Sequence, residues 1–195
     1  MRNVLLPVLI LLVIIMGFFV YNFDNRVTVS GTSISSLPLA DQPSDLRIPT
    51  LHIDASILNV GTTPTGQMDA PVSKAVNSPY WTSVFWYQKG AAPGQAGNAV
   101  IAGHVDRVGG DPAIFWTLSQ LKIGDKLSII TLGQQELRFS VDHVVRYAAN
   151  ASSSDVLGAV FGPTTAHHLN LITCSGVWTG NGYDERLVVF TTQTK

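Results

Sequence analysis

From Leu46 onward the chain is a series of short apolar segments, each soon interrupted by glycine, proline or a polar turn. "LRIPTLHID" and "ASILNV" come first, followed by the turn-rich "GTTPTGQM". "NAVIAGHV" is an apolar run with a polar tip. "KLSIITL" and "QELRFSVDHVVRYA" flank Gly133 as a hairpin would, and "LNLITC" and "RLVVFTTQ" complete the set. Runs of this length, rich in Val, Ile, Thr and Phe, read as β-strands. One short helix is expected over "DPAIFWTLSQL". Asp111 can cap it, Pro112 suits its first position, and Ile114, Phe115 and Leu118 share a face. Many short strands with little helix predict a mainly β domain, either a barrel or a sandwich.

The first 45 residues are different in character. Val4–Val20 holds no charged residue, and Tyr21 and Phe23 extend it as interfacial aromatics. A stretch of about 20 apolar residues spans a bilayer core. A cleaved signal peptide has an apolar region of about 7–15 residues and small residues at a nearby cleavage site. Here bulky residues follow directly, so residues 1–23 are predicted to be a retained transmembrane anchor. Residues 24–45 are polar, rich in Ser and Thr and carry two prolines, which predicts an extracytoplasmic linker. Residues 46–195 are left as one compact domain. The short N-terminus and large C-terminal domain predict a single-pass protein of the cell membrane with its domain outside. The formal net charge is −1 and no Lys/Arg cluster stands out, so nucleic acid is not expected as a partner.

Cys174 is the only cysteine, which excludes an internal disulfide and a cysteine-based zinc site. Free cysteine often just packs in a core. In an oxidising compartment, however, an unpaired thiol invites a functional reason. Cys174 also ends an apolar strand and opens the glycine-rich "SGVWTGNGYDE". A cysteine nucleophile reacts as thiolate and needs a base or a cation nearby. Of the five histidines, His52 and His143 sit within strand-like stretches and read as structural. His167 and His168 are consecutive, so on an extended chain they point opposite ways and do not both face one metal. His104 mirrors Cys174: an apolar strand, then the polar residue, then a glycine-containing loop, with Gly103 leaving backbone room. Arg186 opens "RLVVF" after eleven residues with three glycines, a loop that can return the chain beside the cysteine. A guanidinium stays charged and presents fixed donors, suited to a substrate carbonyl or an oxyanion.

"NAVIAGHVD", "LNLITC" and "ERLVVFTTQ", in this order, resemble the sortase family of cysteine transpeptidases. The resemblance covers most of Leu46–Lys195. "RIPTLHIDASILNVG", "APGQAGNAVIAGHVD" and "PAIFWTLSQLKIGDKLSI" look nearest to class F, ahead of classes E and D. It implies a sortase-like closed β-barrel of eight strands with short helices. It also implies a reaction in which an LPxTG-like sorting signal is cleaved between Thr and Gly through a thioacyl-enzyme, and the acyl group passes to an amine of a cell-wall precursor. By this resemblance Cys174 is the nucleophile and His104 the general acid and then base. Arg186 holds the sorting signal or the oxyanion, and Thr173 shapes the site through its hydroxyl. The family's T-L-x-T-C motif falls on residues 170–174 and departs at its first position, where Asn170 stands in for threonine on the same strand face as Cys174. Asn170 is expected either to contact substrate or to be a neutral swap. The segment 148–168 is expected to wall the substrate groove, with Val156, Leu157, Val160 and Phe161 supplying apolar pockets, either directly or as a short helix packed on the barrel.

No metal or cofactor is expected. Asp106, Asp111, Asp155, Asp184 and Glu185 are scattered and read as solvated loop carboxylates. Two other functions compete. An L,D-transpeptidase would carry a histidine just before and an arginine just after the cysteine, and "LNLITCSGV" carries neither. A membrane-anchored binding module with an incidental thiol would make Cys174 dispensable.

Overall fold

The computed structural model describes residues 37–151 and 153–195. The expected membrane anchor at 1–23 and the first part of the expected linker, to residue 36, lie outside the described residues. Among the described residues no helix is long and apolar enough to cross a membrane.

Eight strands form the domain: β1 (Pro43–Ile48), β2 (Ile53–Val60), β3 (Val84–Tyr87), β4 (Gly97–Ala102), β5 (Lys126–Thr131), β6 (Glu136–Ala148), β7 (His167–Trp178) and β8 (Tyr183–Gln193). They close into a barrel in the order β1-β2-β3-β4-β7-β8-β6-β5. The β2–β3 and β4–β7 pairs are parallel and the others antiparallel. One α-helix, α1 (Ser153–Phe161), lies between β6 and β7. The domain begins ahead of Leu46: β1 starts at Pro43, and Leu37 packs against the core.

Side-chain alternation along each strand separates two apolar layers. Ala99 and Ile101 of β4, Leu169 and Leu171 of β7, and Leu187 and Val189 of β8 point into the barrel. There they meet Leu46, Ile48, Phe115, Ile129 and Phe139 in one continuous core. The intervening residues, Val100 on β4 and Val188 on β8, face outward. They form a smaller cluster with Val160 of α1, against which Val156, Phe161, Tyr147 and Ile172 pack. The barrel is thus filled inside, and helix α1 covers part of its outer wall over β4, β7 and β8.

Three local expectations are corrected. "LRIPTLHID" is two strands of a hairpin, broken by a 3-10 turn at Pro49–Leu51, with Ile48 opposite Ile53. Pro49 lacks the N–H a ladder needs, and His52 takes a left-handed conformation (φ 55°) at the turn's end. "DPAIFWTLSQL" is not an α-helix; only Leu118–Gln120 forms a 3-10 turn. Its amides are committed elsewhere: Ala113 N donates to Val105 O, Ile114 N to Trp81 O and Phe115 N to His104 O. Burial of Phe115 and Leu118 in the barrel outweighs the capping signal. Strand β7 does not end at Cys174 but runs on to Trp178, with its register to β8 shifting between Ser175 and Trp178.

Phe139 is fully buried at the centre of the core. Phe139→Ala is expected to cost about 3–5 kcal/mol, measured as a lowered midpoint in urea unfolding followed by tryptophan fluorescence.

Candidate active site

The parallel ladder between β4 and β7 pairs Ala102 with Ile172. It continues one bond beyond β4, where Gly103 N donates to Ile172 O at 3.1 Å. Two residues past Ala102 stands His104, and two past Ile172 stands Cys174. On the other side of β7, Cys174 pairs directly with Arg186 of β8, and Arg186 pairs with Tyr147 of β6. Directly paired residues point to the same face of a sheet, with Cβ atoms about 4.5–5.5 Å apart. Thiol, guanidinium and phenol therefore stand in one row across β7, β8 and β6, with the imidazole on the segment that continues β4. Tyr147 was not foreseen; its place in the row depends on the β6–β8 register.

Each member of the row is held by its surroundings. His104 packs edge-on to Phe85 (ring centroids 5.4 Å apart) and tilted against Trp81 (5.0 Å). Its Nε2 lies 2.9 Å from Pro71 O. A carbonyl only accepts, so Nε2 carries a proton, and Nδ1 is the ring atom left to exchange one. Gly103 is needed behind it, because a Cβ there would strike the Phe115 ring. Arg186 Nη1 donates to Tyr183 O at 2.9 Å and to Glu185 O at 2.8 Å. Among the described residues its Nε and Nη2 have no hydrogen-bond partner and remain available to a ligand. Burial pushes the Cys174 thiol above the usual range, Arg186 pulls it down, and Asp106 pushes it up again, with a net rise. The net effect of these surroundings favours the thiol over the thiolate.

The carboxylates expected to be solvated are partly engaged. Asp106 Oδ2 accepts from Tyr183 Oη at 2.6 Å, tying the His104 loop to the β7–β8 hairpin. This bond pushes the Tyr183 phenol up to about 12. Asp184 Oδ1 accepts from Val177 N at 2.6 Å, and Glu185 Oε2 from Ser175 Oγ at 3.3 Å, so both brace the hairpin. Among the described residues no three His, Cys, Asp or Glu side chains converge as a metal site would require.

The row opens on a cleft of about 1150 Å³ on the outer wall of the barrel. His104, Cys174 and Arg186 line it together, with Ala102 and Ile172 as floor and Val156, Leu157 and Phe161 of α1 along one side. Tyr87 meets Phe161 edge to face at 5.7 Å. The charged side chains lining it are Lys89, Arg186 and, when protonated, His104. Two residues expected at the groove, Val160 and Asn170, do not line it, and a third, Thr173, lines it with its hydroxyl turned away. Val160 is fully buried, because it faces the barrel wall and packs on Val100 and Val188. Thr173 points inward, its Oγ1 donating to Gly103 O at 2.8 Å, and so shapes the site from beneath. Asn170 is 0% exposed, because α1 lies over it. Its Nδ2 donates to Val160 O at 2.9 Å and to Asn98 Oδ1 at 3.1 Å, so it contacts the helix rather than substrate.

Fold and site describe a cysteine-dependent enzyme on a closed β-barrel. Residues 46–194 match the family model of the sortase domain, and the chain belongs to the sortase family, the cysteine transpeptidases. Solved structures share the fold. Sortase C-1 from Actinomyces oris aligns with TM-score 0.57 at 20% identity, covering 78% of this chain and 71% of that one. Sortase C from Clostridium perfringens SM101 gives 0.54 at 17%, covering 78% and 70%. Sortase A from Corynebacterium diphtheriae gives 0.58 at 16%, covering 79% and 61%. At these identities the likeness concerns the fold and does not discriminate a sortase class. No curated protein matches the chain in sequence.

The charges around Cys174 have opposite signs, so their removal has opposite effects. Arg186→Gln is expected to move the inflection for iodoacetamide alkylation of Cys174 to higher pH. Asp106→Asn is expected to move it to lower pH and to return the Tyr183 phenol from about 12 to the ordinary tyrosine range, followed by NMR of the ring carbons.

Proposed function

We propose that this sortase, nearest to class F by its motifs, cleaves an LPxTG-like sorting signal between Thr and Gly. It then transfers the acyl group to an amine of a cell-wall precursor, from a domain held outside the cell by a membrane anchor at residues 1–23. The supporting observation is the row His104, Cys174, Arg186, carried by the segment just after β4 and by the paired strands β7 and β8, opening on one cleft.

The chemistry follows from that row. Cys174 enters as a thiol, so its proton must leave as sulfur attacks, and His104 Nδ1 takes it. Sulfur bonds to the Thr carbonyl carbon, and the carbonyl oxygen gains negative charge. The free Nε–H and Nη2–H groups of Arg186 offer donors to that oxygen. As the C–N bond to Gly breaks, the imidazolium returns its proton to the leaving amine. The thioacyl-enzyme remains, with His104 neutral and fit to deprotonate the incoming amine. That amine forms a new C–N bond as the C–S bond breaks, and the imidazolium passes the proton to the leaving thiolate, restoring the Cys174 thiol. Throughout, Nε2–H stays on Pro71 O, which keeps the imidazole oriented. The apolar wall of Val156, Leu157 and Phe161 suits the leucine and proline of the signal.

The test incubates the protein with LPxTG-like peptides and amine acceptors and follows products and protein by mass spectrometry. A thioacyl adduct on Cys174 and an acceptor-linked product are expected. Cys174→Ala should abolish cleavage while leaving the fold intact. His104→Ala should lower kcat about 10²–10⁴-fold, and Arg186→Ala about 10²–10³-fold. Full turnover by Cys174→Ala would reject Cys174 as the nucleophile, and absence of any turnover by the wild-type protein would favour a binding module.

A further inference from the structure

Two asparagines beneath helix α1, Asn170 buried and Asn98 half-buried, take no part in the chemistry. Asn98 and Asn170 sit on the outward faces of β4 and β7, on the same side as Ala102, Ile172 and Cys174. Asn170 Nδ2 donates to Val160 O (2.9 Å) and to Asn98 Oδ1 (3.1 Å), and Asn98 Nδ2 donates to Gly162 O (2.7 Å). Val160 and Gly162 are at the C-terminal end of α1, where a helix has carbonyls without intrahelical partners. The two side chains thus join that end of the helix to two strands at once. The turn leaving the helix is tight: a Cβ at Gly162 would run into the Gly158 carbonyl.

Two observations separate this latch from ordinary packing. The helix has nine residues, too few to be stable alone in water, so its position depends on what it touches. Asn170 Oδ1 is also buried with no partner among the described residues. An apolar side chain would avoid that desolvation and would suit the neighbouring Val100, Val160 and Val188. What the amide adds is direction: two donors that set where the helix lies along β4 and β7. The threonine of the family motif has a single donor and cannot serve both Val160 O and Asn98 Oδ1.

The flank of the helix next to the barrel-facing Val160 presents Val156, Leu157 and Phe161 to the cleft. We propose that Asn98 and Asn170 are positioning residues for recognition of the acyl-donor peptide: their latch holds α1, and so its three cleft side chains, at a set distance from Cys174. This rests on the function proposed above. It assigns the departure at Asn170 a role in donor binding and selectivity, with no role in the chemical step.

The experiment uses the full chain with Asn98→Ala and Asn170→Thr. Asn98 is half-buried at the start of its strand and itself borders the cleft, so Asn98→Ala removes little core, and if Asn170→Thr folds poorly the KM change of Asn98→Ala supports the proposal only together with faster exchange of residues 156–161. Hydrogen exchange is read first: amides of residues 156–161 should exchange at least about 10-fold faster in the variants, with β4, β7 and β8 unchanged. Kinetics follow with an LPxTG-like peptide and its Leu→Ala counterpart. KM for the leucine peptide should rise about 5–20-fold with kcat within about twofold, discrimination between the peptides should shrink, and the double variant should do no more than the stronger single. Unchanged exchange overturns the latch. Faster exchange with unchanged KM and discrimination overturns the recognition role, as does a fall confined to kcat. Wild-type protein that turns over neither peptide refutes the proposed function and the recognition role with it, while the exchange data still decide the latch.

Discussion

The whole site hangs on one parallel pairing, β4 against β7. Gly103 and Thr173 are 70 residues apart, and the bond from the Thr173 hydroxyl to Gly103 O at 2.8 Å fixes where each strand ends relative to the other. Parallel strands cannot be joined by a tight turn, so the intervening chain must travel round the barrel before returning. It does so through β5, β6 and α1, which close the barrel and cover its outer wall. A slip of one residue in that pairing would turn Cys174 into the core and bring Thr173 to the cleft. The core side chains of the same strands, Ile101, Leu169 and Leu171, resist that slip because each would leave the barrel interior.

The same alternation divides labour between the two faces. Inward residues supply stability, and outward ones supply either chemistry or a bed for α1. Cys174 sits at the border, where burial favours its thiol form and Arg186 pulls towards thiolate. His104 is fixed from three directions by Trp81, Phe85 and the Pro71 carbonyl. The Asp106–Tyr183 bond joins the loop carrying His104 to the hairpin carrying Arg186. Cys174, His104 and Arg186 are thereby set by backbone register and short contacts.

Much of this was legible in the chain. The strands containing Cys174, His104 and Arg186 announce themselves as apolar runs, and the motif order points to the family. Strand β3 did not: "VFWY" is four residues long and buried on both faces apart from Tyr87, so it shows no alternation. The helical look of "DPAIFWTLSQL" misled because a capping residue and an apolar face are local signals, whereas its amides bond to Trp81, His104 and Val105. Val160 was assigned to the groove because sequence shows an apolar residue without showing which side of its helix meets the barrel.

By itself, then, the sequence determined the class of fold, the family and the three polar residues that meet in the cleft, because short-range pattern and motif order carry that information. Tertiary structure alone decided the partners. It set Tyr147 beside Arg186, Asp106 against Tyr183, and Asn170 under the helix instead of in the cleft. The physical reason is register: which side chains stand opposite one another depends on how distant strands align, and that alignment is settled by the packing of the whole barrel.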